Sequence, residues 1–224
     1  KLDYEVCIAS FTRGEYGWPK HAEHFKGERL GRLRTQELYE ALKVYGIPPD
    51  HVYFFGVIDG KVEFKEETIA LIKNYLDQEQ PDIIFACEPR NTYYRHPDHM
   101  NVGKTVYYVL DKGLAALGGK KPKLYFYGSL GTNFQWPIKE EDLRMAKRTR
   151  HLHRSQMHIW KFGDKLYKLM NWVYGRKIKG WRRAEGYRRV FYGKEREKNE
   201  KLSLLERIFL ILNVKAWPNK VTRH

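Results

Sequence analysis

The chain has 224 residues, 42% of them hydrophobic and 31% charged, with a formal net charge of +15. That length and apolar share suit one large α/β domain, with or without an appendage, and exclude a chain disordered throughout. No apolar run approaches the ~20 residues that cross a bilayer, and no signal-peptide-like apolar segment opens the sequence. Cys7 and Cys87 both lie in apolar runs and are expected to be buried, the habit of cysteine as a small hydrophobe in a reducing compartment. With no CxxC pairing, a cysteine zinc site is excluded on spacing.

The first two-thirds alternates strand-like and helix-like segments. Glu5–Phe11 is an apolar run that ends at the turn Thr12-Arg13-Gly14-Glu15. Residues 29–44 follow, with Leu30, Leu33, Leu38, Ala41 and Leu42 at helical spacing. His51–Phe55 reads as a strand, Lys65–Gln78 as a helix, Pro81–Cys87 as a strand, His99–Ala116 as a helix and Lys123–Tyr127 as a strand. Strands alternating with helices over short connections imply an α/β, Rossmann-like fold, with a mostly parallel sheet and helices on both faces. The chain starts almost directly on a core strand, so an N-terminal βα unit is expected upstream of the sequence given.

Beyond residue 139 the pattern turns helical and basic. Glu140–Trp160 and Lys165–Trp172 read as helices, and Lys177–Arg189 as a cationic loop or short strand carrying Trp181 and Tyr187. Leu202–Leu212 is apolar almost all round, which suits burial or an interface. The organisation expected is a core over residues 1–138, a helical continuation over 139–190 and a basic, apolar C-terminal tail over 191–224. Residues 1–143 hold 19 Lys and Arg against 21 Asp and Glu, a net of −2, whereas residues 144–224 hold 23 against 6, a net of +17. That asymmetry calls for an anionic partner at the C-terminal third, with a Lys- and Arg-rich solvated surface as the plainer reading.

The chemistry concentrates in Tyr94-Arg95-His96-Pro97-Asp98-His99, followed by Gly103. Two histidines flank an acid between a strand end and a helix start, the edge at which open α/β sheets bind ligands. Such a pair can give one imidazole to a metal and leave the other for acid–base work, with the acid orienting a ring nitrogen. Residues of this kind also serve simply as helix starts.

This stretch resembles the second signature of the LmbE/PIG-L family of zinc-dependent N-acetylglucosaminyl deacetylases, His-Pro-Asp-His with a Gly after three further residues. Other family marks stand in order: Thr12-Arg13-Gly14-Glu15, Arg34 and Glu37 on the next helix, Asp59-Gly60, Pro81-Asp82, His153-Arg154-Ser155-Gln156 and Ala184-Glu185. The resemblance implies that His99 ligates zinc and that His96 stabilises the tetrahedral oxyanion. It further implies that Asp98 holds a histidine in place, that Tyr94 polarises the acetyl carbonyl and that Arg13 binds substrate. For Arg34 and Glu37, an intrahelical ion pair at i,i+3 competes with any functional role. Glu88, after the third strand, could substitute as a ligand or base, but reads rather as a surface carboxylate.

The family's first signature, His-Pro-Asp-Asp-Glu, does not occur in these residues. It supplies two zinc ligands and the general base, so the expectation is that it lies upstream; a non-catalytic relative is the alternative. With His99 as the one ligand, the residues given should hold zinc weakly. The implied substrate is an N-acetylglucosamine-type sugar, lipid-linked or phosphorylated in some members, handled by a cytoplasmic protein. The basic tail suits peripheral membrane contact, and Leu202–Leu212 suits that or a homo-oligomer equally. A binding role toward nucleic acid is disfavoured, because no RNA- or DNA-binding module is recognisable.

Overall fold

The computed structural model describes residues 4–17, 23–92, 94–156 and 163–192. The chain forms two compact units, one from Lys1–Val62 with Pro137–Glu185, the other from Glu63–Trp136 with Gly186–His224.

The first unit opens with strand β1 (Ile8–Ser10), helix α1 (Glu28–Lys43) and strand β2 (Val52–Phe54). β1 and β2 pair in parallel, Ile8 opposite Val52 and Ser10 opposite Phe54. The ladder runs on past both strands, where the Val57 N–H donates to the Phe11 carbonyl at 2.9 Å. Leu30, Ala41 and Leu42 bury one face of α1, and the charged Arg34 and Glu37 are buried with them. In this sequence numbering the unit resumes after residue 136 with α4 (Glu140–Leu152) and α5 (Gly163–Gly175). α4 packs on α1, and the Tyr45 hydroxyl meets the Thr149 hydroxyl at 3.2 Å. Its first turn holds Glu140, Glu141 and Asp142 and its last Arg150 and His151, charges that complement the helix dipole. α4 therefore stops at Leu152, short of the expected Trp160.

The second unit is built on α2 (Glu66–Glu79), strand β3 (Ile83–Cys87), α3 (Pro97–Asp111) and strand β4 (Lys123–Tyr127). β3 and β4 are parallel, from Ile83 opposite Lys123 to Cys87 opposite Tyr127. Val106, Val109 and Leu110 of α3 are buried, as are Leu124 and Phe126 of β4, and α3 packs on both β3 and α2. Strand β6 (Ala184–Arg189) then joins β4 antiparallel, Phe126 opposite Arg188, with β5 (Phe134–Pro137) outside it.

The mostly parallel sheet expected from the sequence is therefore a mixed one. The described strands lie in two sheets, β1-β2 and β3-β4-β6-β5, and the second carries an antiparallel strand. The reason is local. β6 is the cationic stretch Ala-Glu-Gly-Tyr-Arg-Arg, with no apolar run to mark it, and it follows two helices rather than one crossover helix. Cys87 is buried as expected, but Cys7 is exposed, because it precedes β1 rather than lying inside it. The basic tail, including Leu202–Leu212, lies outside the described residues.

Candidate active site

In the second unit the site starts from Glu88, the residue after β3. It is not a surface carboxylate, as its sequence position suggested, but 1% exposed. Arg188 donates to both its oxygens, Nε to Oε2 at 2.6 Å and Nη2 to Oε1 at 2.9 Å. The Arg90 and Asn91 backbone N–H groups add donations at 3.0 and 3.2 Å. Burial pushes the Glu88 pKa up, but the Arg188 bonds and charge, with the two backbone donors, outweigh it and hold the carboxyl below its usual range. With four donors on its carboxylate, three of them on Oε1, Glu88 is an anchor for the loop that follows rather than a base or a metal ligand.

That loop delivers the signature. Thr92 Oγ1 donates to the Tyr94 carbonyl at 3.1 Å and accepts from the Tyr94 N–H at 3.0 Å. His96 sits at the N-cap of α3 with Pro97 opening the helix, where a missing N–H costs nothing. The rings of Tyr94, His96 and His99 then cluster. Their centroids stand 5.0 Å apart for His96–His99, 5.3 Å for Tyr94–His99 and 6.0 Å for Tyr94–His96. Tyr94 and His99 are exposed, while Asp98 is 5% exposed. The buried His96 Nδ1 has no hydrogen-bond partner among the described residues. A buried nitrogen left so is the feature a reacting group would satisfy.

Gly103 explains the last letter of the signature. A Cβ there would lie 1.9 Å from the Cys87 carbonyl oxygen and 3.2 Å from Pro89 Cδ. The bare backbone lets α3 press its first turns onto the end of β3, which sets where the two histidines stand.

In the first unit the Thr12–Glu15 turn is knitted to the segment after β2. Glu15 accepts from the Arg13 N–H at 3.1 Å and from the Asp59 N–H at 2.9 Å, while Asp59 accepts from the Tyr16 N–H at 3.2 Å. Arg13 itself is forked onto Glu28, Nη1 to Oε1 at 3.0 Å and Nη2 to Oε2 at 2.5 Å, with its side chain 37% exposed. Behind the turn, Arg34 Nη1 donates to the Gly14 carbonyl at 2.5 Å and Nε to the Ser155 hydroxyl at 3.3 Å. Glu37 accepts from both the Ser155 N–H at 2.8 Å and its hydroxyl at 2.7 Å. Arg34 and Glu37, for which an i,i+3 ion pair within α1 was expected, thus both converge on Ser155. Burial pushes the neighbouring His153 pKa down, with Glu37 opposing and Arg34 adding to the effect. The roles of Glu88, Arg188 and Ser155 escaped sequence reasoning, although an acid directly after an apolar strand was a usable signal for the first.

Comparison with known proteins adds the following. The family model described as PIG-L: GlcNAc-PI de-N-acetylase matches residues 1–110. No curated protein sequence matches significantly. Among solved structures, the N,N'-diacetylchitobiose deacetylase of Pyrococcus horikoshii is similar at 24% identity, covering 83% of this chain and 73% of that one, with a TM-score of 0.70. The 4-carboxy-2-hydroxymuconate hydratase GalB of Pseudomonas putida KT2440 is similar at 16% identity, covering 82% and 83%, with a TM-score of 0.64. A zinc-inhibited form of teicoplanin deacetylase Orf2 is similar at 11% identity, covering 83% and 88%, with a TM-score of 0.58. At these identities the likeness establishes a shared mixed α/β fold, which hosts both hydrolytic and hydration chemistry.

Proposed function

Residues 1–110 belong to the PIG-L family, and from that premise we propose that the protein is a deacetylase. It hydrolyses the acetamide of an N-acetylglucosamine-type substrate, with zinc as cofactor. The observation that carries this reading is the Tyr94–His96–His99 ring cluster at the start of α3, with the His96 Nδ1 buried and unsatisfied.

Imidazole is a common zinc ligand, and His99 is the residue here that would hold the ion, alongside two ligands of the kind the family's first signature supplies, which these residues lack. When bound, such an ion activates a water and polarises the acetyl carbonyl. The Tyr94 hydroxyl donates to the carbonyl oxygen, and His96 meets the negative charge that develops there as water oxygen bonds to the acetyl carbon. The water gives up its proton to a carboxylate base of the kind the family's first signature supplies; as the C–N bond breaks, His96 passes a proton to the departing amine and regains one from that base, and acetate and the free amino sugar leave. Asp98, buried in the first turn of α3, keeps the histidines oriented. Arg13 binds substrate through its guanidinium fork, whose exposed edge can exchange Glu28 for a hydroxyl or phosphate.

The finer form of this reading is a lipid-linked or phosphorylated substrate met at a membrane surface. The net +17 of residues 144–224 supports it. No helix among the described residues is long and apolar enough to cross a membrane. The test is to express the complete reading frame with zinc and supply N,N'-diacetylchitobiose and N-acetylglucosaminyl-inositol compounds. Equal release of acetate and primary amine from at least one is expected; amine release from none overturns the proposal.

A further inference from the structure

We propose a second metal site, at the opposite end of the first βα unit from the Thr12–Glu15 turn, formed by Glu5, Cys7 and His51 and selective for a zinc-class divalent cation. Among the described residues searched, these three form the one group of His, Cys, Asp or Glu whose ligand atoms all lie within 4.8 Å of one another.

The register of the parallel pair produces the grouping. Ile8 stands opposite Val52, so the residues one step earlier, Cys7 just before β1 and His51 at the end of the 3-10 turn Pro49–His51, come side by side where the two strands begin. Glu5 lies two residues before Cys7, where extended chain returns a side chain to the same face. A spacing rule that looks for CxxC within one segment does not reach a site assembled across two strands.

The histidine is set up to ligate. His51 Nδ1 lies 3.2 Å from the Val6 carbonyl oxygen, which can only accept, so Nδ1 carries the proton. The neutral ring then has its lone pair on Nε2, and Nε2 is the atom turned toward Glu5, 3.8 Å from its Oε1. A backbone carbonyl fixing one ring nitrogen while the other faces a metal is the usual outer-shell arrangement for histidine ligands. The plainer reading, an exposed His–Glu ion pair, accounts for neither the tautomer nor the exposed Cys7 thiol beside it.

Three atoms within 4.8 Å of one another can all lie within about 2.8 Å of a common point. Zinc distances of ~2.0–2.3 Å need each ligand atom to move inward by about 0.5–0.8 Å, open to an exposed cysteine and a 77% exposed glutamate. Thiolate, imidazole and carboxylate together select zinc and its neighbours over magnesium or calcium, which prefer oxygen alone. With three protein ligands, the fourth position is left to water or an external group.

The test uses cobalt(II) and zinc(II) salts alone on the purified chain. Cobalt should bind one-to-one with a thiolate-to-metal absorption band. Cys7→Ser should abolish the band, and Glu5→Gln and His51→Ala should each weaken cobalt binding by at least about 10-fold. His99→Ala should leave the band intact, which separates this site from the proposed catalytic one. On the unsubstituted protein, zinc should slow alkylation of Cys7 by iodoacetamide. Absence of the band, its persistence in Cys7→Ser, or alkylation of Cys7 at the same rate with and without zinc would each overturn the assignment.

Discussion

Arg188 of β6 closes on Glu88, the residue after β3, Nε 2.6 Å from one carboxylate oxygen and Nη2 2.9 Å from the other, while its guanidinium lies 4.8 Å from the Phe126 ring centre. An ion pair in that setting is expensive to form and far more expensive to break. Arg188→Ala strands a buried carboxylate and should lower the unfolding free energy by about 3–5 kcal/mol. Arg188→Lys should recover only part of it, because an ammonium cannot make the fork. Urea unfolding of the three proteins decides the matter; equal midpoints would mean the pair is not holding the loop.

The same pair sets a pH dependence. Glu88 has its folded pKa below the ordinary 4.5, so its contribution is complete above that value and fades as pH falls toward the depressed one. Glu88→Gln should therefore flatten the acid side of the stability profile while lowering the plateau. An unchanged acid limb in the variant would assign acid sensitivity to other carboxylates.

Gly103→Ala tests the contact between α3 and β3. The added methyl meets the Cys87 carbonyl at 1.9 Å, and backbone on both sides leaves nowhere to move except apart. A loss of roughly 1–3 kcal/mol is expected, the usual range for overpacking. Deacetylase activity should fall by more than this stability loss implies, since the start of the helix carries both histidines, His96 at its N-cap and His99 in its first turn. A variant with wild-type thermal midpoint and turnover would show that the contact is slack.

The two histidines should separate in their effects. In the complete reading frame, His96→Ala should lower turnover by about 10²-fold or more with zinc content nearly unchanged, as for loss of one oxyanion donor. His99→Ala should lose catalytic zinc and activity together. Metal analysis has to subtract any ion held at Cys7, so both substitutions are best read in a Cys7→Ser background. If both variants lose metal alike, the division of roles is wrong.

Arg13→Ala gives a different signature. Its partner Glu28 is solvent-exposed, so the thermal midpoint should not move measurably. KM for an N-acetylated sugar should rise while kcat stays close to its original value. A fall in kcat alone would remove Arg13 from substrate binding.

Sequence periodicity located most helices and strands because their apolar residues repeat at the period of the element. Lys123–Tyr127 is the clearest case, a five-residue run whose central three residues are buried. β6 was harder to read, since the ion pair that ties it to the end of β3 joins residues 100 positions apart. The short edge strand Phe134–Pro137 carries one proline and no alternation, and it passed unseen for that reason. Within the site, the residue types of the His96–His99 turn were legible from chemistry alone. The support beneath them was not, because a buried Glu88 and a solvated one are written with the same letter. Ser155 was visible as part of a motif, yet its task of joining Arg34 to Glu37 needs three dimensions.

The tightness around Gly103 also separates two histories that one signature would otherwise merge. The histidines answer to the reaction, whereas the glycine answers to the seam between α3 and the carbonyl of Cys87. In descendants released from catalysis, the imidazoles are free to drift while the glycine stays pinned by the need to fold. A descendant with the glycine kept and the rings replaced would thus be a scaffold on loan to some other task, and the two letters can be scored apart when such lineages are sorted.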